Sequence, residues 1–500
     1  MSNEQATPDY TAIAKKLRYQ NKAFINGAFC NALSGEVFDS LNPATGAVLA
    51  QVAACGKADV DVAVGHARTA FEDGRWSKLH PSERKAALLK LAQLMEDNAT
   101  ELAVLESVDS GKPVGECVGV DVPETIKTIR WHAELIDKIY DTTSPAGPNT
   151  VAMLSREAIG VVGLVLPWNF PLLMLAWKIG PALAAGCSVI VKPAELTTLS
   201  TLRVAELVKE AGIPDGVFQV VTGTGKDAGE PIGLHPDIDM VSFTGSTVTG
   251  RRFLRYAADS NLKRIVLECG GKNPAVVLAD AEDLDAVAGH VVAGAFWNMG
   301  ENCSATSRLI VHSSIKDQLL SAIGRALEAW KTGDPLDAGN KIGALVSTGH
   351  FAKVSSYLEA ASAEGCKVVF GGKTHGGAFI EPTVVDGVTP QSRLFREEIF
   401  GPILAVTTFD TVQQALDLAN DTNYGLAASV YTANTRSAMK LARGIKAGTV
   451  TVNCFGEGDV STPFGGFKES GFGGRDKSIF AHDQYTEIKT VWIDVTEASL

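Results

Sequence analysis

From residue 157 onward, short apolar runs rich in β-branched residues alternate with segments that have the period of amphipathic helices. The predicted strands lie at residues 161–165, 188–191, 218–221, 240–243, 264–267, 275–278, 309–312 and 368–370. The predicted helices include residues 202–211, 284–298 and 315–330. Such alternation is typical of βαβ units around a parallel sheet. The pattern predicts two α/β lobes, with the change of lobe near residue 270.

The N-terminal part of the chain is less regular. Residues 24–29 predict a β-hairpin with an Asn-Gly turn. Residues 81–109 predict one amphipathic helix, with Leu88, Leu91 and Met95 on the same face. Residues 140–150, rich in Thr, Ser, Pro and Gly, predict an insertion that forms a protruding hairpin with the residues after it.

Composition narrows the classes of partner. The 57 acidic and 45 basic residues give a net charge of -12, which argues against nucleic acid or an anionic membrane as the main partner. The longest apolar region, residues 159–191, is broken by three prolines, one asparagine and one lysine, so it does not predict a membrane span.

The eight cysteines show no CxxC spacing and no nearby histidine pair, so no metal site is predicted. Their low number for this length, and an N-terminus without the apolar segment of a signal peptide, predict a cytoplasmic protein.

Three polar residues are candidates for catalysis. Cys303 lies among small polar residues, Glu268 ends a predicted strand before two glycines, and Asn169 lies between two prolines. These types suit a nucleophile, a general base and an oxyanion donor. Each also has an ordinary structural explanation, as a buried apolar thiol, a loop acid and a turn cap respectively.

Three glycine-rich strings resemble phosphate-binding loops, and two of them have poor spacing: residues 223–229 and 371–374. The third has a strand, then Gly245-Ser246, then a helix start, which is the arrangement that holds a pyrophosphate. Lys192 and Glu195 follow another strand, where a carboxylate can accept ribose hydroxyls. A solvated ion pair is the alternative.

Seven strings together resemble the aldehyde dehydrogenase superfamily over nearly the whole chain. They are PWNFP (167–171), KPAE (192–195), FTGST (243–247), LECGGKNP (267–274), GENCSATSR (300–308), EEIFGP (397–402) and PFGGFKESGFGGR (463–475). The resemblance implies an α/β fold with two Rossmann-like doubly wound lobes and a bridging β-hairpin. It also implies an NAD-binding domain at 1–269, interrupted by the hairpin near 140–157, a catalytic domain at 270–475, and a C-terminal oligomerisation strand at 476–500.

The resemblance also implies a mechanism. Cys303 would attack the aldehyde carbon to form a thiohemiacetal, with the oxyanion held by the Asn169 side chain and the Cys303 N–H. After hydride transfer, Glu268 would activate the water that hydrolyses the thioester. The presence of Glu268 favours this reaction over that of a coenzyme A-acylating or reductive relative. A non-catalytic protein on the same scaffold is a further alternative, disfavoured by the intact residues.

The implied cofactor is NAD, with NADP possible, because Lys192 and Glu195 would hold the adenosine ribose. The other implied cofactor residues are Trp168, Gly225, Gly245, Ser246, Glu398 and Phe400. Residues 140–156 and 490–494 resemble bridging elements of a homodimer or homotetramer. Glu301 is a departure, because the family commonly has Gln there. An inward-pointing acid would disfavour the thiolate, whereas a solvent-facing one would matter little.

The residues carried over for the aldehyde tunnel are Phe170, Met174, Trp177, Trp297, Asn302, Phe455 and Phe464. Glu457 and Asp459, joined by Asp121 and Glu124, predict negative charge at the tunnel mouth that attracts an ammonium group. This loop and the C-terminal strings resemble the γ-glutamyl-γ-aminobutyraldehyde dehydrogenase branch of polyamine catabolism. The alternatives are solvated loop acids, a broad-specificity aliphatic or aromatic aldehyde scavenger, and a betaine-aldehyde-type enzyme.

Overall fold

A computed structural model describes residues 8–496 of the chain. The first seven residues, which contribute to the prediction that no signal peptide is present, lie outside this range. Within residues 8–496, every helix is too short or too polar to cross a membrane.

The strands, in chain order, are β1 (Ala23–Ile25), β2 (Ala28–Cys30), β3 (Val37–Leu41), β4 (Val48–Ala53), β5 (Thr142–Ser144), β6 (Thr150–Ala158), β7 (Val161–Val165), β8 (Ser188–Lys192), β9 (Phe218–Val220), β10 (Met240–Thr244), β11 (Arg264–Glu268), β12 (Pro274–Val277), β13 (Arg308–His312), β14 (Lys367–Phe370), β15 (Thr374–His375), β16 (Phe379–Ile380), β17 (Thr383–Asp386), β18 (Ile403–Phe409), β19 (Ala427–Tyr431), β20 (Thr449–Val452), β21 (Gly471–Phe472) and β22 (Thr486–Asp494).

The α-helices are α1 (Tyr10–Ala14), α2 (Lys57–Glu72), α3 (Pro81–Asp97), α4 (Ala99–Ser110), α5 (Val114–Glu116), α6 (Val122–Leu135), α7 (Pro171–Ala185), α8 (Leu199–Ala211), α9 (Glu230–Leu234), α10 (Thr247–Ala258), α11 (Leu284–Phe296), α12 (Lys316–Leu327), α13 (Thr348–Ala363), α14 (Arg393–Arg396), α15 (Val412–Asn420), α16 (Thr435–Gly444) and α17 (Ser478–Gln484).

Two large sheets form the two lobes. The first has the order β2-β1-β9-β8-β7-β10-β11-β21, and the second has the order β14-β17-β18-β13-β12-β19-β20. In β7, Val162 and Leu164 pack into one apolar cluster while Val161 and Val165 pack into another. The strand is therefore buried on both faces, as expected for a parallel sheet covered by helices.

The chain passes from the first sheet to the second between Glu268 and Pro274, and it returns to the first sheet at β21. A separate three-stranded sheet, β22-β6-β5, joins the insertion after residue 140 to the C-terminal strand. The domain boundaries predicted from the sequence remain predictions, with β21 falling inside the range assigned to the catalytic domain.

Two N-terminal predictions have different outcomes. The hairpin is present, since Phe24 pairs with Phe29 and the turn residues Asn26 and Gly27 have φ of 50° and 74°. The single helix over 81–109 is wrong, because the chain breaks at Asn98, with φ -110° and ψ 17°, into α3 and α4. The Asn98 amide donates to the Leu94 carbonyl at 2.8 Å and so ends α3.

Candidate active site

The predicted cofactor residues follow strands at the carboxyl edge of the first sheet. Trp168 comes after β7, Lys192 ends β8, and Ser246 comes after β10. The strand order reverses between β7 and β10, which pair with each other. In doubly wound sheets the ligand lies in the crevice outside such a reversal. Here Trp168 and Ser246 line one cavity of about 250 Å³.

The same cavity is built from both lobes, because the residues that line it include Trp168, Asn169, Phe170, Met174, Gly245, Ser246, Cys303, His350, Lys353, Glu398 and Phe400. The rings of Trp168 and Phe400 meet edge to face, with centroids 5.2 Å apart. Ser246 caps α10 by accepting a hydrogen bond from the Thr249 N–H at 3.3 Å. The start of a helix beside a cavity suits the phosphates of a dinucleotide.

Glu398 fits closely against the glycine pair that follows β11. Its Oε1 accepts a hydrogen bond from the Gly271 N–H at 2.8 Å. A methyl group added to Gly270 would lie 2.2 Å from both carboxylate oxygens of Glu398. Glycine at 270 is therefore required for Glu398 to reach the cavity.

Lys192 and Glu195 form the ion pair that was the alternative explanation for this string, with Nζ 3.2 Å from Oε2. Lys192 is buried, which lowers the pKa of its ammonium group, whereas the Glu195 side chain is 44% exposed. Gly225 begins the exposed turn after β9, the strand beside β8. The pair and the turn therefore lie on adjacent strands, although none of these three residues lines the 250 Å³ cavity itself.

Cys303 follows a sharply turned segment. Asn298, Met299 and Gly300 all have positive φ, at 53°, 55° and 68°. The predicted helix over 284–298 therefore ends at Phe296. Left-handed backbone at non-glycine residues is strained and concentrates at functional sites.

Burial raises the pKa of the Cys303 thiol well above its ordinary value, and nearby carboxylates raise it further. The carboxylates, in order of decreasing effect, are Glu457, Glu398 and Glu268. Burial and the neighbouring carboxylates therefore both disfavour the thiolate form of Cys303.

The Asn169 amide is held beside the nucleophile loop. Its Nδ2 donates to the Glu301 carbonyl at 2.9 Å, which leaves a second N–H on that nitrogen. The backbone carbonyl of Asn169 accepts hydrogen bonds from Lys112 Nζ at 3.2 Å and from Asn298 Nδ2 at 3.1 Å. The amide is fixed in place, as the flanking prolines predict.

Glu268 ends β11 and is 4% exposed. Burial raises the pKa of its carboxyl group well above the usual value, and Asp476 adds to this effect, while Lys178 opposes it. Lys178 and Asp476 form a fully buried ion pair at 3.2 Å. Glu268, Cys303 and Asp476 line one small inner cavity.

Glu301 is buried, but its carboxyl group points away from the thiol. Oε1 accepts a hydrogen bond from the Val346 N–H at 3.1 Å and lies 3.5 Å from His350 Nε2. Burial raises the pKa of Glu301 well above 4.5, so the acid is kept neutral and resembles the glutamine common at this position. Its effect on the thiolate is therefore small.

Aromatic side chains line a path outward from Cys303. The inner cavity is lined by Phe170, Met174, Trp177, Asn302 and Phe464, and an outer cavity of about 260 Å³ is lined by Trp177, Trp297, Phe455 and Glu457. Ring centroids lie 5.1 Å apart for Phe170–Trp297 and 5.2 Å apart for Trp177–Phe464. The structure thus brings all seven predicted tunnel residues together.

The four acids predicted at the tunnel mouth lie in different places in the structure. Glu457 lines both cavities, and Glu124 lines the outer one. Asp459 lines a separate surface groove and pairs with Lys127 at 2.9 Å. Asp121 is fully buried against Lys112 and does not line the outer cavity.

Two lysines that sequence reasoning missed support this site. Lys112 Nζ lies 3.9 Å from the centre of the Phe170 ring and pairs with Asp121. Lys477 Nζ lies 5.3 Å from the centre of the Trp177 ring and donates to the Glu457 carbonyl at 2.8 Å. In the sequence, the only signal for these lysines is their position in or beside a motif, GKP for Lys112 and GGRDK for Lys477.

The aldehyde dehydrogenase family model matches residues 29–491. Aminoacetaldehyde dehydrogenase of Pseudomonas aeruginosa is 67% identical over 488 residues, covering 98% of each chain. Indole-3-acetaldehyde dehydrogenase of P. syringae, solved with NAD+, is 47% identical with a TM-score of 0.96, covering 97% of this chain and 99% of that one. γ-Glutamyl-γ-aminobutyraldehyde dehydrogenase from Burkholderia cenocepacia is 48% identical with a TM-score of 0.95 and the same coverage.

These matches confirm the resemblance, the α/β fold and the enzyme class predicted from the sequence. The chain belongs to the aldehyde dehydrogenase family, as an NAD(P)-dependent oxidoreductase.

Proposed function

We propose that this enzyme oxidises amino aldehydes, free or γ-glutamylated, to carboxylic acids through a thioester on Cys303, with NAD as the preferred acceptor. The observation that carries the proposal is the convergence of Cys303, Asn169, Glu268 and Glu457 on connected cavities. The 67% identity to aminoacetaldehyde dehydrogenase supports the substrate class.

In the first step the Cys303 thiolate attacks the carbonyl carbon, and the negative oxygen that develops accepts hydrogen bonds from Asn169 Nδ2 and the Cys303 N–H. NAD(P), when bound, would supply the hydride acceptor needed to oxidise the thiohemiacetal on Cys303 to a thioester. Glu268 then removes a proton from water, the hydroxide adds to the thioester carbon, and Cys303 leaves as a thiolate. The raised pKa of Glu268 makes it a stronger base for this proton.

The chain's own residues fit the cofactor. The cavity that holds Cys303 also holds Trp168, Phe400 and Glu398, which would contact the nicotinamide ring and its ribose. Glu195, exposed beside Lys192, would accept the adenosine ribose hydroxyls and repel a 2′-phosphate, which supports NAD over NADP.

We further propose a cytoplasmic homodimer or homotetramer. The β22-β6-β5 sheet presents exposed apolar side chains, including Ile488 and Trp492, on its C-terminal strand. Exposed apolar surface of this kind commonly marks a subunit interface. Sedimentation of the purified enzyme measures the assembly, and a monomer would contradict it.

The substrate proposal is tested by NADH formation with acetaldehyde, hexanal, 3-aminopropanal and γ-glutamyl-γ-aminobutyraldehyde, with Cys303→Ala as the blank. Higher kcat/KM on the two amino aldehydes than on hexanal is the expected result. Because the aromatic tunnel walls also suit uncharged aldehydes, equal or better oxidation of hexanal would favour a broad-specificity scavenger instead.

A further inference from the structure

Glu457 and the nucleophile Cys303 line the same inner cavity. Glu457 also lines the outer cavity, together with Trp297 and Phe455. Its carboxylate accepts a hydrogen bond from the Ser304 hydroxyl, one residue after the nucleophile. Glu457 therefore connects the entrance of the tunnel to the reacting thiol.

The Ser304 hydroxyl is itself fixed. Asn302 Oδ1 lies 3.0 Å from the Ser304 backbone N–H and 3.1 Å from Ser304 Oγ. A serine hydroxyl carries a single hydrogen, so donation to Glu457 withdraws it from Asn302. The loop holds the carboxylate of Glu457 at a set position beside Cys303.

The Glu457 carboxylate has no cation of its own. Among residues 8–496, no lysine, arginine or histidine nitrogen lies within 4.0 Å of it. Lys477, the nearby cation, donates to the backbone carbonyls of Glu457 and Gly458 rather than to the carboxylate. A half-buried carboxylate without a paired cation is partly desolvated, and a bound ammonium group would offset that cost.

We propose that the ammonium group of an amino aldehyde pairs with Glu457 and thereby favours ionisation of Cys303, so that the substrate helps to activate its own nucleophile. This inference rests on the proposed function. The thiol proton leaves to water, and no other bond changes before attack on the carbonyl. An uncharged aldehyde leaves Glu457 unpaired and the thiol protonated.

The thiol and Glu457 each face further charged groups in addition to one another. Cys303 also faces Glu398 and Glu268. Glu268 in turn is influenced by the charges of Asp476, Lys178 and Arg475. Glu457 faces Lys477 and Asp121. Of the carboxylates that raise the pKa of Cys303, Glu457 has the largest effect. It is also the one that lines the tunnel outward from the thiol.

The test measures the rate of Cys303 alkylation by iodoacetamide against pH in the full-length enzyme without aldehyde. The modified Cys303 peptide is quantified by mass spectrometry, because Cys454 is also exposed. Propylammonium chloride mimics the charged end of the substrate, and 1-butanol with potassium chloride at equal ionic strength is the uncharged control. We expect propylammonium to lower the midpoint by at least about one pH unit, a tenfold change in thiolate fraction.

Variants distinguish an effect of the propylammonium charge from simple blockage of the tunnel. For Glu457→Gln we expect the pH midpoint of Cys303 alkylation to be lower than in wild type without propylammonium, and to show no further shift when propylammonium is added. Ser304→Ala is expected to weaken the shift, and Ser304→Thr, which keeps the hydroxyl, to restore it. Asp459→Asn, in the outer groove, serves as the matched acid-to-amide control and is expected to behave as wild type.

An unchanged wild-type midpoint with propylammonium, or a full shift in Glu457→Gln, would overturn the inference. A blocked tunnel lowers the rate at every pH without moving the midpoint, and that result also counts against it. If amino aldehydes are still preferred in the substrate panel, the proposed function stands and only the coupling to the thiol is wrong.

Discussion

Replacing Lys112 with methionine removes a buried cation that supports both the oxyanion amide and the tunnel wall. The side chains of Lys112 and Asp121 are 1% and 0% exposed, and they form an ion pair. The same ammonium group donates to the Asn169 carbonyl at 3.2 Å and lies 3.9 Å from the centre of the Phe170 ring. The substitution keeps the length of the side chain and leaves Asp121 as an unpaired buried acid.

Removing one partner of a buried ion pair typically costs about 3–5 kcal/mol. Glu106, fully buried nearby with a pKa raised to about 8 by burial, also loses the stabilising charge of Lys112. We therefore expect Lys112→Met to lose about 4 kcal/mol of stability. Lys112→Met with Asp121→Asn removes both charges and should recover most of that loss.

Urea unfolding followed by circular dichroism measures stability, and NADH formation measures activity. In the double variant we expect kcat/KM to remain about tenfold below wild type, or about 1.4 kcal/mol, because the Asn169 carbonyl loses one of its two hydrogen bonds and keeps only that from Asn298. If Lys112→Met unfolded at the same urea concentration as wild type, the Lys112–Asp121 pair would not stabilise the fold as argued. A fully active double variant would refute the positioning of Asn169.

Three further predictions concern other parts of the site. Glu268→Gln should release about one NADH per subunit in a burst and then turn over at least about 100-fold more slowly, and a burst-free progress curve would contradict its role after hydride transfer. Gly270→Ala should raise the KM for NAD about tenfold by displacing Glu398, and an unchanged KM would count against the contact. Burial raises the pKa of Glu301, so the stability of the neutral acid is present at low pH and lost as pH rises through the raised pKa. Glu301→Gln should therefore match wild type near pH 5 and melt at a higher temperature near pH 9, whereas equal melting temperatures at both values would show that Glu301 does not titrate.

The parts of the fold that the sequence predicted well depend on local chemistry. The Asn26-Gly27 turn requires two residues with positive φ, and this dipeptide supplies them at little cost. The seven strings mark strand ends and tight turns, where Gly270 admits Glu398 and the prolines fix Asn169. Such constraints involve neighbours in sequence, so they are visible without the fold.

The missed parts depend on contacts between distant segments. Glu457 and Asp459 are two residues apart on a loop without regular period, so the sequence alone does not show that one faces the thiol and the other Lys127. A lysine in a sequence is expected at the surface. The burial of Lys112 follows from Asp121 and Phe170, which only the fold brings to it.

The short strand β21 joins the candidate base to a segment 200 residues away in sequence. Gly471 pairs with Glu268, and the Ser470 hydroxyl donates to the Gly270 carbonyl at 2.6 Å. The surroundings of the base are thus finished by a segment that is synthesised after Cys303. A nascent chain can therefore present a thiol without a working hydrolytic partner, and we expect it to stay inactive.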